Sequence, residues 1–165
     1  MTNMNQNSAK ATRGLLRSYL NTSKRTFIIY PLLVVGFEAA LRGGDIIIVP
    51  WGAVGLLWGY LQYRLVRAYR GRLGGGGPGL DVPPKRVVTE GPYGFTRNPM
   101  YLGHLIFMAG LALTFWSWLA LALLAVNMAW FHRRVLKDEE HLRSMFGAEY
   151  GDYTAQVKRW IPGVL

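Results

Sequence analysis

The sequence predicts an all-α integral membrane protein of about four transmembrane helices, with a C-terminal helical hairpin and interfacial segments at the cytoplasmic face. Three observations predict it. The chain is 51% hydrophobic yet carries a formal charge of +10, and its apolar residues sit in blocks. Residues 27–41 are interrupted only by Glu38, residues 46–63 carry no charge, and residues 100–131 hold His104 as their one Asp, Glu, Lys, Arg or His. Four crossings put all but Arg42 of the 19 Lys and Arg residues on one side, which the positive-inside rule identifies as the cytoplasm. Finally, two polar segments bracket the last apolar block: EGPYGFTRNPMYLG over residues 90–103 and DEEHLRSMFGAEYGDY over residues 138–153. A hairpin between them returns both to the same membrane face.

Each element follows in order. The 165 residues suit one domain. Residues 1–26 read as a basic cytoplasmic tail, in which Ala9 to Leu20 forms either an interfacial helix or a frayed end. The apolar run that follows lacks a small-residue cleavage pattern and reads as a retained first helix over residues 27–41. Arg42-Gly43-Gly44-Asp45 makes an external turn, and a second helix runs from Ile46 toward Tyr69, so residues 27–69 hold the first two spans. Residues 70–87 read as a flexible Gly/Pro loop, a mobile linker or lid; without a Gly-Lys-Ser/Thr ending it is not a phosphate cradle. A span needs roughly 20 residues, so residues 100–131 are too long for one crossing. They predict two short helices turning near Thr114–Trp118. One crossing there would place the six basic residues from Arg133 to Arg159 on the opposite face. Trp130 and Phe131 mark the interface, Gly147 is placed to end the helix, and residues 148–159 predict a short interfacial helix with Tyr150, Tyr153 and Val157 on one side.

Composition also excludes. Without cysteine there is no disulfide, thiolate metal site or cysteine nucleophile. The positive charge is a topology signal and an attraction to anionic headgroups, so no nucleic-acid partner is expected. Three histidines without His-Glu-x-x-His spacing argue against a metal site. His104 lies on the face of Met100 and Tyr101, where it either touches a site or hydrogen-bonds across helices. Glu38 pairs with a neighbouring helix or sits near the outer interface, while Asn127, Thr114 and Ser117 serve helix contacts or the turn. Helices 1 and 2 pack within one chain or against a second copy, and the sequence leaves the oligomeric state open.

Chemistry gathers in the two polar segments, residues 88–162 with their hairpin. Gly91-Pro92 forces a turn, and Asn98-Pro99 reads as a helix start with Asn as N-cap and Pro at the first helical position. Unpaired N–H groups and the positive dipole end there, beside Arg97, suit a carboxylate or phosphate. The plainer reading is a simple cap with Arg97 on lipid phosphate. Asp138-Glu139-Glu140 is either a solvated helix end, with Arg134 pairing Asp138, or a partner for a cation. Adjacent Glu139 and Glu140 point about 100° apart, so one of them at most faces a site.

The ordered pattern Glu-Gly-Pro-Tyr, Arg-Asn-Pro-Met-Tyr-Leu-Gly, Glu-Glu-His-Leu, Phe-Gly, then Arg-Trp-Ile-Pro resembles the isoprenylcysteine carboxyl methyltransferase family, related to the integral-membrane phospholipid methyltransferases. It covers residues 88–162. Many members have His where this chain has Asn98, which removes a titratable ring from that position. The resemblance implies S-adenosylmethionine at the cytoplasmic end of the hairpin and S-adenosylhomocysteine as product. Gly91, Pro92, Tyr93, Arg97, Asn98, Pro99 and Tyr101 would line its pocket, with Leu102, Leu142, Met145 and aromatic residues around adenine. Glu139 and Glu140 match the family's cofactor-binding Glu-Glu pair. Arg159 matches the Arg before Trp-Ile-Pro and would hold an anionic acceptor, or else a lipid headgroup. Arg159, Glu139 and Glu140 are the candidate catalytic residues. The implied reaction is methyl transfer to a lipophilic acceptor, carboxyl O-methylation first and N- or S-methylation as alternatives. The expected partners are that acceptor and membrane lipids. Two other readings remain: an NADPH-dependent membrane reductase of the sterol-reductase type, and a non-enzymatic basic protein that binds lipid or a partner.

Overall fold

The computed structural model describes residues 21–76 and 82–161. Their regular structure is helical throughout, and the sequence expectations for residues 1–20, the middle of the Gly/Pro loop and the last four residues lie outside them. The first helical stretch opens at Thr22–Lys24, capped by the Asn21 side chain, passes through a π-helical turn at Arg25–Ile29, and continues as α1, Tyr30–Leu41. It therefore starts about a turn before the apolar block. α2 spans Gly52–Arg72, α3 spans Pro99–Phe115 and α4 spans Trp118–Gln156.

The second helix does not begin at Ile46. Pro50 disfavours helical backbone at Val49, and residues 45–49 stay irregular before Gly52 opens α2. Val49 donates its amide to the Thr114 carbonyl at 2.7 Å, tying this segment to the hairpin turn. That turn falls where the apolar block predicts it. Trp116 is left-handed, with φ 48°, and Ser117 caps α4 by accepting the Ala120 amide. Glu38, buried on α1, is held by Arg42 at 2.9 Å, next to the turn after α1.

Small residues decide how α2 meets α3. A Cβ on Gly59 would lie 2.4 Å from the Phe107 nitrogen and 2.6 Å from the Gly103 carbonyl oxygen. One on Gly55 would lie 2.9 Å from the Gly110 Cα, and one on Gly52 would reach Thr114. The pairing runs 52 with 114, 55 with 110, 59 with 103, then Gln62 donating to the Pro99 carbonyl at 3.0 Å, so the helices are antiparallel. Glycines at every crossing let the backbones touch, the packing that helices use where no water drives them together. α1 joins through Val34, packed with Leu111 and Ala120.

Along the helices much of the described exterior is apolar. Leu32, Ile48, Trp51, Val54, Leu57, Trp58, Leu65, Trp118 and Val126 are all exposed, far more large apolar surface than water tolerates on a monomer. Among the described residues α4 is the one helix long and apolar enough to cross a membrane; α3 is apolar but shorter.

Gly147 interrupts α4 where the sequence places a helix end. Its φ of 53° and ψ of −121° kink the chain, which resumes helix to Gln156. The kink turns Tyr150 and Tyr153 back toward α3.

Candidate active site

The polar end of the hairpin is built by the chain folding over itself. Gly91–Gly94 forms a 3-10 turn, and Gly91 takes φ 59° where a Cβ would lie 2.9 Å from the Tyr69 ring. The C-terminal segment then clamps that turn to the start of α3. Tyr153 donates to the Tyr93 carbonyl at 2.8 Å, Arg97 donates its amide to the Lys158 carbonyl at 3.0 Å, and the Arg159 carbonyl accepts from both the Thr96 hydroxyl and the Asn98 amide at 3.1 Å. The two polar segments thus form one unit.

Helix α3 starts at Pro99, but the Asn98 side chain makes no capping bond. The side chain donates to the Arg159 carbonyl instead, while the Asn98 backbone N–H donates to the Thr96 hydroxyl oxygen at 3.3 Å. The expected N-cap position is therefore right and the expected side-chain cap is not. Orphan amides at the first turn of α3 remain available to an anion.

Beside this start lies a cavity of about 350 Å³, within the range of small-molecule sites. Among the described residues its wall carries Arg25, Arg70, Arg86, Arg97 and Arg134, a single carboxylate (Asp138), and the rings of Tyr63, Tyr93, Tyr101, His104, Trp130, Tyr150 and Tyr153. Tyr101 donates to Asp138 at 2.9 Å and accepts from Arg134 at 3.1 Å, so its hydroxyl is spoken for from both sides. Arg25 lies 4.6 Å over the Trp130 ring. Burial pushes the Tyr93 and Tyr150 hydroxyls up to about 12, and Tyr153 above its ordinary value too. These phenols stay protonated at neutral pH and serve as hydrogen-bonding groups, not bases.

Glu139 is the electrostatic hub. It receives both arms of Arg159, at 3.1 Å and 2.9 Å, and lies 3.6 Å from Arg97. The Glu139 bonds hold the Arg159 guanidinium more firmly protonated than usual. Arg97 is mostly buried, and its Nε has no hydrogen-bond partner among the described residues. A buried donor left so costs about 1–3 kcal/mol, the mark of a group shaped for a ligand.

The predicted residues divide accordingly. Tyr93, Arg97, Asn98 and Tyr101 line the cavity; Gly91, Pro92 and Pro99 shape the backbone that carries them. Leu102 is half-buried off the cavity wall. Of the acidic pair only Glu139 faces inward, as the 100° offset requires, and Glu140 is exposed. Arg159 is not a free anion receptor here: Glu139 holds it. Leu142 lines the cavity, while Met145 is exposed at the surface. Sequence reasoning missed Arg25, Tyr63 and Trp130, which reach the wall from other helices and leave no local signal. The expected i,i+4 pair of Arg134 with Asp138 forms at 4.0 Å, and the Tyr101 hydroxyl bridges the two at shorter range.

Comparisons with known proteins show the family and the fold. Residues 53–149 match the family model for phospholipid methyltransferases. The chain is 32% identical over 80 residues to protein-S-isoprenylcysteine O-methyltransferase B of Arabidopsis thaliana, covering 48% of this chain and 41% of that one. It is 32% identical over 76 residues to the nickel-cobalt-cadmium resistance protein NccN of Alcaligenes xylosoxydans xylosoxydans, covering 46% and 36%. In fold it is similar to a solved eukaryotic intramembrane Ras methyltransferase, isoprenylcysteine carboxyl methyltransferase, with TM-score 0.63 and 20% identity over 90% of this chain and 56% of that one. The matched regions thus span less than half the length of these curated relatives.

Proposed function

This chain belongs to the phospholipid methyltransferase family, and from that premise we propose that it transfers a methyl group from S-adenosylmethionine to a lipophilic acceptor at the cytoplasmic face of a membrane. The observation that carries this is the buried Arg97, its Nε unpartnered, beside the N-terminus of α3 in a cavity of about 350 Å³. Arg97 and the first-turn amides would hold the donor's carboxylate, Asp138 its ammonium, and Tyr93, Tyr150 and Leu142 its adenine. When bound, the donor supplies an already activated methyl on sulfonium. The protein's task is then alignment and exclusion of water. Glu139 positions Arg97 and ties it to Arg159, and so keeps the C-terminal clamp closed over the donor.

The acceptor carries an O, N or S nucleophile and reaches the cavity from the inner leaflet. Four spans with both termini cytoplasmic suit this reading: they put Arg97, Arg134 and Arg159 on one face with the other basic residues. Titration calorimetry tests it. S-adenosylhomocysteine should bind and NADPH should not; the reverse would favour the reductase. Incubation with methyl-labelled S-adenosylmethionine and a membrane-lipid extract should then label a lipid. No label across lipid, thiol and prenylcysteine panels would leave a non-enzymatic lipid-binding role.

A further inference from the structure

A second hollow lies between the first helical stretch and α2, as an open groove of about 650 Å³. Its two ends differ in chemistry. Phe27, Ile28, Leu56 and Leu57 make most of its length apolar, whereas Lys24, Arg64 and Arg67 gather at one end. Among the described residues no Asp or Glu lines it. Ser23 is hydrogen-bonded to the Tyr63 hydroxyl and Gln62 meets the Pro99 carbonyl at 3.0 Å, so the three cations stand level with the polar start of α3. Arg64 and Arg67 donate to the Tyr60 and Tyr63 hydroxyls at 3.2 Å, neutral partners that do not balance a guanidinium charge. Ala53 lines the far end of the groove, eleven positions before Arg64 and so about 16 Å from it along the axis of α2. That is the depth of one leaflet in a hydrocarbon core about 30 Å thick.

The groove is separate from the candidate active site. Ser23 and Tyr63 line both, and their hydrogen bond closes the wall between the two. The Phe27 ring backs that wall, 5.0 Å from Tyr63 and 4.8 Å from Phe107.

We propose that this groove binds one anionic phospholipid from the leaflet that meets the polar end of α3, with its phosphate between Lys24, Arg64 and Arg67 and an acyl chain along Phe27, Ile28, Leu56 and Leu57. Charge complementarity selects this occupant. Three cations without an acid beside them call for an anion, and an apolar trough of one leaflet's depth calls for a chain attached to it. A zwitterionic lipid carries its own cation in the headgroup and loses most of that attraction. The bound lipid braces the first helical stretch against α2. Through Arg67 and the Tyr63 hydroxyl it also steadies the wall shared with the candidate active site. The site stands whether or not the chain transfers methyl groups.

Native mass spectrometry of the purified full chain in detergent counts the lipid retained. One phosphatidylglycerol per chain should stay bound, phosphatidylcholine should not, and an excess of free glycerol 3-phosphate should fail to displace it. Arg64→Gln and Arg67→Gln should each weaken phosphatidylglycerol binding about fivefold, and roughly thirtyfold together. Arg133→Gln with Lys137→Gln removes equal charge from exposed positions on α4 and should leave binding unchanged. Ala53→Trp, at an exposed position, fills the apolar end without touching a charge and should release the lipid, with the melting temperature of the lipid-free chain unaltered. Loss of phosphatidylglycerol from wild type, its retention by Ala53→Trp, or equal retention of phosphatidylcholine overturns the proposal. So does displacement by glycerol 3-phosphate, which marks a soluble-phosphate site, and so does an equal loss in the α4 pair, which marks attraction by net charge alone.

Discussion

The two ends of helix α3 are packed by opposite rules. Toward Thr114 it meets α2 along a seam of glycines, where backbone touches backbone and a single methyl group has no room. Toward Pro99 it opens into a cavity walled by arginines, tyrosines and one carboxylate, closed over by a chain segment from the far end of the sequence. The seam has no ionisable partner and needs none; the polar end holds itself with bonds to Glu139 and to main-chain carbonyls. Rigid packing at one end fixes where the other end's side chains stand. The molecule is stiff where it has no chemistry and polar where it has.

Substitutions separate the two. Gly59→Leu should have the largest effect, costing about 3 kcal/mol or more because backbone atoms at 2.4 Å cannot yield. Unfolding in detergent measures it, and Gly36→Leu, with nothing within 4 Å, should stay within about 0.5 kcal/mol. A tolerated Gly59→Leu would sink the rigid-seam account. Glu139→Ala comes next, at about 1–3 kcal/mol, since it strips Arg159 and Arg97 of their shared carboxylate. Methyl transfer should fall roughly tenfold or more as the clamp loosens. The exposed Glu140→Ala is its control and should change neither; equal losses would mean that the pair acts by net charge alone.

Gly147→Ala should cost about 1–2 kcal/mol through its positive φ, with no steric clash, because nothing lies within 4 Å. If the kink exists to deliver Tyr150 and Tyr153, S-adenosylhomocysteine affinity should weaken in the same variant, a point calorimetry decides. The smallest effect belongs to Tyr153→Phe, about 1 kcal/mol for the lost bond to the Tyr93 carbonyl. A cost near zero in a melting experiment would show that the clamp is held by Arg97 and Arg159 without it.

Much of the site's position was legible. The Asn-Pro step placed the start of α3, the length of the apolar block placed its turn, and a 100° offset limited the inward-facing carboxylate to one of Glu139 and Glu140, which the structure shows to be Glu139. Partnerships were not legible. The Asn98 side chain makes no capping bond and instead donates its amide N–H to the carbonyl of Arg159, 61 residues away. Arg159, read as a holder of an anionic acceptor or of a lipid headgroup, pairs with Glu139 at 2.9 Å, which its sequence position did not foretell. The glycine seam was written plainly as Gly52, Gly55 and Gly59 against Gly103 and Gly110, and would have been found by reading small residues at helical spacing.

By itself, then, the sequence determined the helices, the hairpin and the return of its two polar segments to one end, because bilayer thickness, charge and proline act on local stretches of chain. Only the tertiary structure decided which arginine meets Glu139, which hydroxyls are spent and which rings pack around His104. Those outcomes depend on Phe27, Tyr63 and Phe131 arriving from three different helical segments, and no local pattern encodes an encounter between parts of the chain so far apart.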